Sequence, residues 1–131
     1  PIPGTVNPAG SHMHNHLKFF TTNRKDLKGR PTSHPDYDHR TLYVDYNELA
    51  HNSDNGKAVT NAKKQWWELK SQYADVVLLF RQGKFYEMFH DDADVGVSVL
   101  GHSYMKGIEA HSGFPEKSYG YIVGKLVDAG Y

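Results

Sequence analysis

Val76-Val77-Leu78-Leu79-Phe80-Arg81-Gln82-Gly83-Lys84-Phe85-Tyr86-Glu87-Met88-Phe89 is the stretch on which the fold turns. Residues 76–80 form a continuous apolar run, rich in β-branched and aromatic side chains, which reads as a strand buried on both faces. Gln82-Gly83 supplies a turn and residues 85–89 a second strand. Positions i and i+2 of a strand share a face, so Phe85 and Glu87 project together while Tyr86 and Met88 point the other way. A flat apolar ring beside a hydrogen-bond acceptor suits a flat, polar ligand such as a nucleobase. On pattern alone, such a strand is more often core plus edge than a reader of bases.

Upstream, Thr60 or Asn61 can cap a helix in which Ala62, Trp66, Leu69 and Tyr73 recur at helical spacing, with Lys63, Lys64 and Lys70 off that stripe. Downstream, Asp91, Asp92 and Asp94 mark the start of a helix over residues 93–100, which Gly101 ends. Residues 103–106 and 109–114 read as two strands around a Lys106-Gly107 turn. Tyr119, Ile122, Val123, Leu126 and Val127 make a last helical stripe closed by Gly130. The sequence stops where an α/β unit would begin its next strand, which suggests a fragment with its last strand truncated. The expected class is mixed α/β, a small central mixed sheet flanked by helices.

Residues 1–40 are rich in Pro, Gly, His and Asn, and read as an extended or disordered arm ahead of a domain over 41–131. Gly10-Ser11-His12-Met13 resembles a cloning remnant. Residues 41–44 form a short extended piece with Leu42 and Val44 on one face. At 131 residues, the chain is long enough for one core and not for two.

Fifteen basic and fifteen acidic residues cancel, so bulk charge does not hold nucleic acid here. The distribution is uneven: residues 1–70 hold ten Lys/Arg against seven Asp/Glu, and 71–131 hold five against eight. With no cysteine there is neither a disulfide framework nor a thiolate zinc site. No run approaches the roughly 18 apolar residues of a membrane span, and an intracellular protein is expected.

Glu87, His90, Asp91, Asp92 and Asp94 offer ligands for a metal or an acid/base pair, against the plainer reading of a charged helix start. Their spacing matches neither a calcium loop nor a zinc helix. His12, His14 and His16 alternate and could meet a divalent ion from one side of an extended segment, although such ligands would lack a supporting shell. Gly120 and Gly124-Lys125-Leu126 fail as a phosphate loop, because the glycines are too close and Leu126 replaces the metal-binding hydroxyl. Ser112 follows His111 but lies in no nucleophile elbow, so no catalytic residue is assigned.

Trp66-Trp67-Glu68-Leu69-Lys70-Ser71, Gly83-Lys84-Phe85-Tyr86-Glu87-Met88-Phe89-His90 and Asp92-Ala93 closely resemble the N-terminal mismatch-recognition domain of the MutS family of DNA mismatch repair proteins. The likeness continues through Tyr104-Met105-Lys106-Gly107, Ala110-His111-Ser112-Gly113-Phe114-Pro115-Glu116 and Lys125-Leu126-Val127-Asp128-Ala129-Gly130-Tyr131, and is best over residues 60–131. Asn23-Arg24-Lys25-Asp26, Pro35-Asp36-Tyr37-Asp38 and Thr41-Leu42-Tyr43-Val44 extend it in a form similar to the eukaryotic sixth MutS homologue. Lys84 stands where bacterial members usually carry an acidic residue.

The resemblance implies that Phe85 stacks on a mispaired base from the minor groove and Glu87 hydrogen-bonds to it, with Gln82, Lys84, Met105 and Lys106 as candidates for backbone and groove contacts. It also implies a nuclear protein. The second MutS homologue, whose equivalent strand lacks the Phe-x-Glu pair, would be its heterodimer partner through domains outside this chain. ATP and magnesium would belong to an ATPase domain, with no cofactor or metal in this fragment. Two other classes stay open: a protein-interaction module using the exposed ring, or a small metal-dependent enzyme using residues 91–94.

Overall fold

A two-residue turn at Gly83 and Lys84 folds strand β1 (Phe80–Gln82) back onto β2 (Phe85–Phe89). Gly83 has φ +60° and Lys84 a negative φ, the combination that matches hairpin twist with glycine at the first turn position. Strand β3 (His111–Pro115) pairs antiparallel on the other side of β2, with Phe85 opposite Pro115, Glu87 opposite Gly113 and Phe89 opposite His111. The described residues also form α-helices α1 (Tyr46–His51), α2 (Asn61–Gln72), α3 (His90–Leu100) and α4 (Tyr119–Asp128). The computed structural model describes residues 10–53 and 59–131. The mixed α/β class holds, with the described strands paired antiparallel.

The chain divides into two compact units, Met13–Val76 and Val77–Tyr131 with residues 10–12. In the sheet-bearing unit, Tyr86 and Met88 of β2 and Phe114 of β3 turn toward Ala93, Ala110, Ile122 and Leu126. Full burial of Met88 contributes about 1.5–3 kcal/mol. Helix α3 lies so close to the sheet that a Cβ on Gly96 would come within 2.8 Å of Met88 Cε. The strand-to-helix junction runs through His90, whose φ is +54° and whose amide donates to Ala110 O at 2.8 Å. Gly101 ends α3 in the left-handed conformation, as expected.

In the other unit, Thr60 caps α2 by accepting from the Lys63 amide. The Trp67 ring meets Phe19 and Phe20 edge-on at centroid distances of 5.3 and 5.7 Å. Asp45 caps α1, and the Glu48 carboxylate accepts from the amides of Lys18 and Phe19. Asp26, wholly buried, accepts from the amides of Lys28, Arg30 and Asp38 and from Arg30 Nε. Leu42 and Val44 are buried and Tyr43 exposed, the expected alternation.

Several expectations are corrected. The arm over residues 1–40 is neither extended nor disordered across 10–40: Leu17, Phe19, Phe20 and Asp26 are buried, because Trp67 and the Asp26 hydrogen bonds give this polar segment something to pack on. Residues 1–9 lie outside the described residues. The single core becomes two compact units. His12, His14 and His16 do not alternate along an extended segment; Met13–His16 is a 3-10 turn in which His14 is buried and His16 exposed, and His12 packs its ring 4.6 Å from that of Tyr104. The buried face of α2 is Trp66, Trp67, Lys70 and Ser71, which leaves Ala62, Leu69 and Tyr73 exposed. Lys70 reaches inward to donate to Val76 O at 2.7 Å.

Residues 76–79 are not strand, since the Leu78 amide goes to the Asp92 carboxylate instead of a neighbouring strand. Residues 103–106 likewise form no strand, and Met105 keeps one backbone bond to His111 O. Helix α4 buries Ile122 and Leu126 but leaves Tyr119 and Val127 exposed.

Candidate nucleic-acid interface

The pleat that sends Tyr86 and Met88 into the core sends Phe85, Glu87 and Phe89 to the opposite face of the sheet. Antiparallel partners share a face, so Phe80, Gln82, His111, Gly113 and Pro115 join them there. Phe85 opens the strand beside the turn and is 47% exposed. That is a large apolar ring placed at a loop tip, away from the core its neighbour Tyr86 serves. Glu87 is half-buried. Further along, the rings of Phe89 and His111 stack at 6.2 Å and Phe80 meets Phe89 edge-on at 6.4 Å, giving the face a firm aromatic floor.

Of the residues singled out from sequence, Gln82 sits directly opposite Phe85, and Lys84 is exposed in the turn between them. Met105 is 37% exposed and its Cε comes within 3.5 Å of the Cβ position of Gly113, on the same face as Glu87. Lys106 follows as an exposed neighbour in the loop. Arg81 projects to the other side, where its guanidinium lies 5.9 Å from the Tyr86 ring centroid and pairs with Glu116 at 2.6 Å.

Phe80, His111 and Gly113 were missed from sequence as members of this face. Gly113 carried a signal, because a glycine inside a strand marks the close approach of another chain segment.

Glu87, His90, Asp91, Asp92 and Asp94 are dispersed by the strand-to-helix junction. Asp92 is buried under the Leu78 amide, and Asp94 accepts from Tyr104 OH at 2.6 Å. Burial, together with that hydrogen bond, pushes the Tyr104 phenol up to about 12. Among the described residues no three His, Asp or Glu side chains converge as metal ligands.

A small antiparallel sheet thus carries helices on one face and an exposed ring beside a carboxylate on the other. The family model of MutS domain I matches residues 60–131. The chain is 48% identical over 119 residues, 90% of its length, to the probable DNA mismatch repair protein Msh6 of Drosophila melanogaster. It is 44% identical over 108 residues to the DNA mismatch repair protein Msh6 of Homo sapiens, covering 82% of the chain. A DNA mismatch repair protein MutS from Parabacteroides distasonis is 39% identical over 77 residues, 54% of the chain. The chain belongs to the MutS family, as an Msh6-like N-terminal domain. The matched segments make up 9%, 7% and 9% of those relatives, so the chain spans less than a tenth of their length.

Proposed function

We propose that this chain is the mismatch-reading domain of a DNA mismatch repair protein, entering the minor groove with Phe85 and holding the mispaired base with Glu87. One observation carries the reading: a half-exposed phenylalanine stands at a hairpin tip, two residues from a carboxylate on the same face, while the same strand is anchored just beyond them by wholly buried Met88.

Inserting an apolar ring between base steps costs a few kcal/mol of unstacking and kinks the duplex. A defective pair unstacks more easily, so the difference in deformation cost is itself the signal, independent of sequence. Rigid backing by the core keeps the ring from yielding before the DNA does. Glu87 is unsuited to attract phosphates. Its carboxylate favours a base that offers a donor, and so it supplies discrimination more than affinity. Lys84 and Lys106 hold flanking phosphates, and Gln82 and Met105 border the groove.

In the longer protein, the second MutS homologue would join through domains outside this chain, and ATP with magnesium would act there, in the nucleus. No cofactor or metal is assigned to the domain itself.

The test is an NMR titration of the chain at low salt with matched duplexes, one carrying a G·T mispair. The expected result is amide shifts centred on residues 82–89, larger for the mispair, with the difference removed by Phe85→Ala and reduced by Glu87→Ala. Shifts that map elsewhere, or a preference that survives Phe85→Ala, would overturn the reading.

A further inference from the structure

Gly113 faces Glu87 across the β2–β3 pair. Its φ lies outside the left-handed region, so backbone conformation does not require glycine here. Space does. A Cβ at this position would lie 2.7 Å from Tyr86 O, a contact with backbone that only a shift of the strands relieves. The same Cβ would lie 3.5 Å from both Glu87 Cγ and Met105 Cε. The bare α-carbon of Gly113 therefore leaves a gap the width of one carbon atom between the Glu87 side chain and the Met105 thioether, on the face opposite the core.

Tyr86 is the peptide link between Phe85 and Glu87. Whatever moves its carbonyl moves the ring and the carboxylate relative to each other. We propose that Gly113 is the positioning residue of this face: its missing side chain sets the Phe85–Glu87 geometry through the Tyr86 peptide and keeps open a slot, walled on its far side by Met105, that admits the edge of a flat heteroaromatic group to Glu87. The proposal rests on the mismatch-reading function above for the identity of that group as a nucleobase. A thioether is apolar and adaptable, suited to line a slot that receives bases of different outline.

The fold supplies a matched control. A Cβ on Gly96 would meet Met88 Cε at 2.8 Å and Ser112 Oγ at 2.9 Å, a conflict of similar tightness on the core face. Gly96→Ala therefore presses on the same two strands from the core side, but through the ends of two side chains that can turn aside, and it leaves the Tyr86 carbonyl untouched.

The experiment compares wild type, Gly113→Ala, Gly96→Ala, Met105→Ala and Phe85→Ala by NMR, free and titrated with matched and G·T duplexes. Gly113→Ala is expected to reduce the mismatch preference about tenfold, the equivalent of one good hydrogen bond. Gly96→Ala retains the preference. Met105→Ala, which spares the Tyr86 contact, weakens the preference while keeping the fold, and decides the matter if Gly113→Ala does not fold.

A preference removed by Phe85→Ala but untouched by Gly113→Ala and Met105→Ala would overturn this proposal alone. If wild type shows no preference, the mismatch reading fails, and the free protein decides the positioning role. Gly113→Ala must then displace the Tyr86 and Glu87 resonances beyond anything Gly96→Ala does there, and equal displacement by both variants overturns it.

Discussion

Phe85 and Met88 belong to the same short strand and have opposite fates, which makes them the sharpest pair on which to separate function from folding. Met88 is wholly buried and Phe85 is 47% exposed. Met88→Ala should cost about 2–5 kcal/mol in urea unfolding, whereas Phe85→Ala should cost well under half as much despite deleting a larger side chain. Equal losses would mean that the ring is structural.

Asp26 makes a second residue-level claim. Burial pushes its carboxyl up, but bonds from the Arg30 and Asp38 amides and the Arg30 guanidinium outweigh burial and hold it well below the usual carboxylate range. A carboxyl depressed on folding stabilises the native state fully above its unfolded value, near about 4, and loses that contribution as pH falls from there toward the native value. Melting temperatures should therefore drop between about pH 5 and about pH 2.5 more steeply in wild type than in Asp26→Asn, and parallel curves would show that Asp26 plays no such part.

At the scale of elements, local chemistry was legible where it was self-contained. Gly83 in the hairpin, Thr60 at the start of α2 and Gly101 at the end of α3 each act on their own neighbours, and each stands where the sequence placed it. What the sequence concealed was which partner each surface would find. Helical spacing groups Ala62 with Trp66, Leu69 and Tyr73. The buried face is instead turned toward Trp67 and Lys70, because Phe19 and Phe20 arrive from a segment too polar to announce a core.

The open face shows the same division. Phe85 and Glu87 were visible from alternation along one strand, but Gly113 and His111 joined them only through pairing register. The rotated face of α2 can be tested. Trp67→Ala should cost about 3–5 kcal/mol and Leu69→Ala less than about 1, with the order reversed if the sequence stripe were the packed one.

For the whole molecule, charge decides how the proposed reading of DNA could work. Lys and Arg total 15 and are balanced by 15 Asp and Glu, so affinity cannot come from a pervasive positive field. Among the described residues, Lys84 in the hairpin turn and Lys106 in the loop after Met105 are exposed cations close in the chain to the ring-bearing face. Each phosphate neutralised adds about −0.9 to the slope of log affinity against log salt, so the chain should show a slope of about −2 on matched duplex. Lys84→Ala should reduce that slope by about 1 and leave the mismatch-to-match ratio unchanged. Phe85→Ala should do the reverse, collapsing the ratio at constant slope, because stacking releases no counterions. A much steeper slope would assign phosphate contacts to the basic residues of Met13–Val76, among them Lys18, Lys25 and Lys28. The polar segment would then carry phosphate contacts of its own, separate from those of the hairpin.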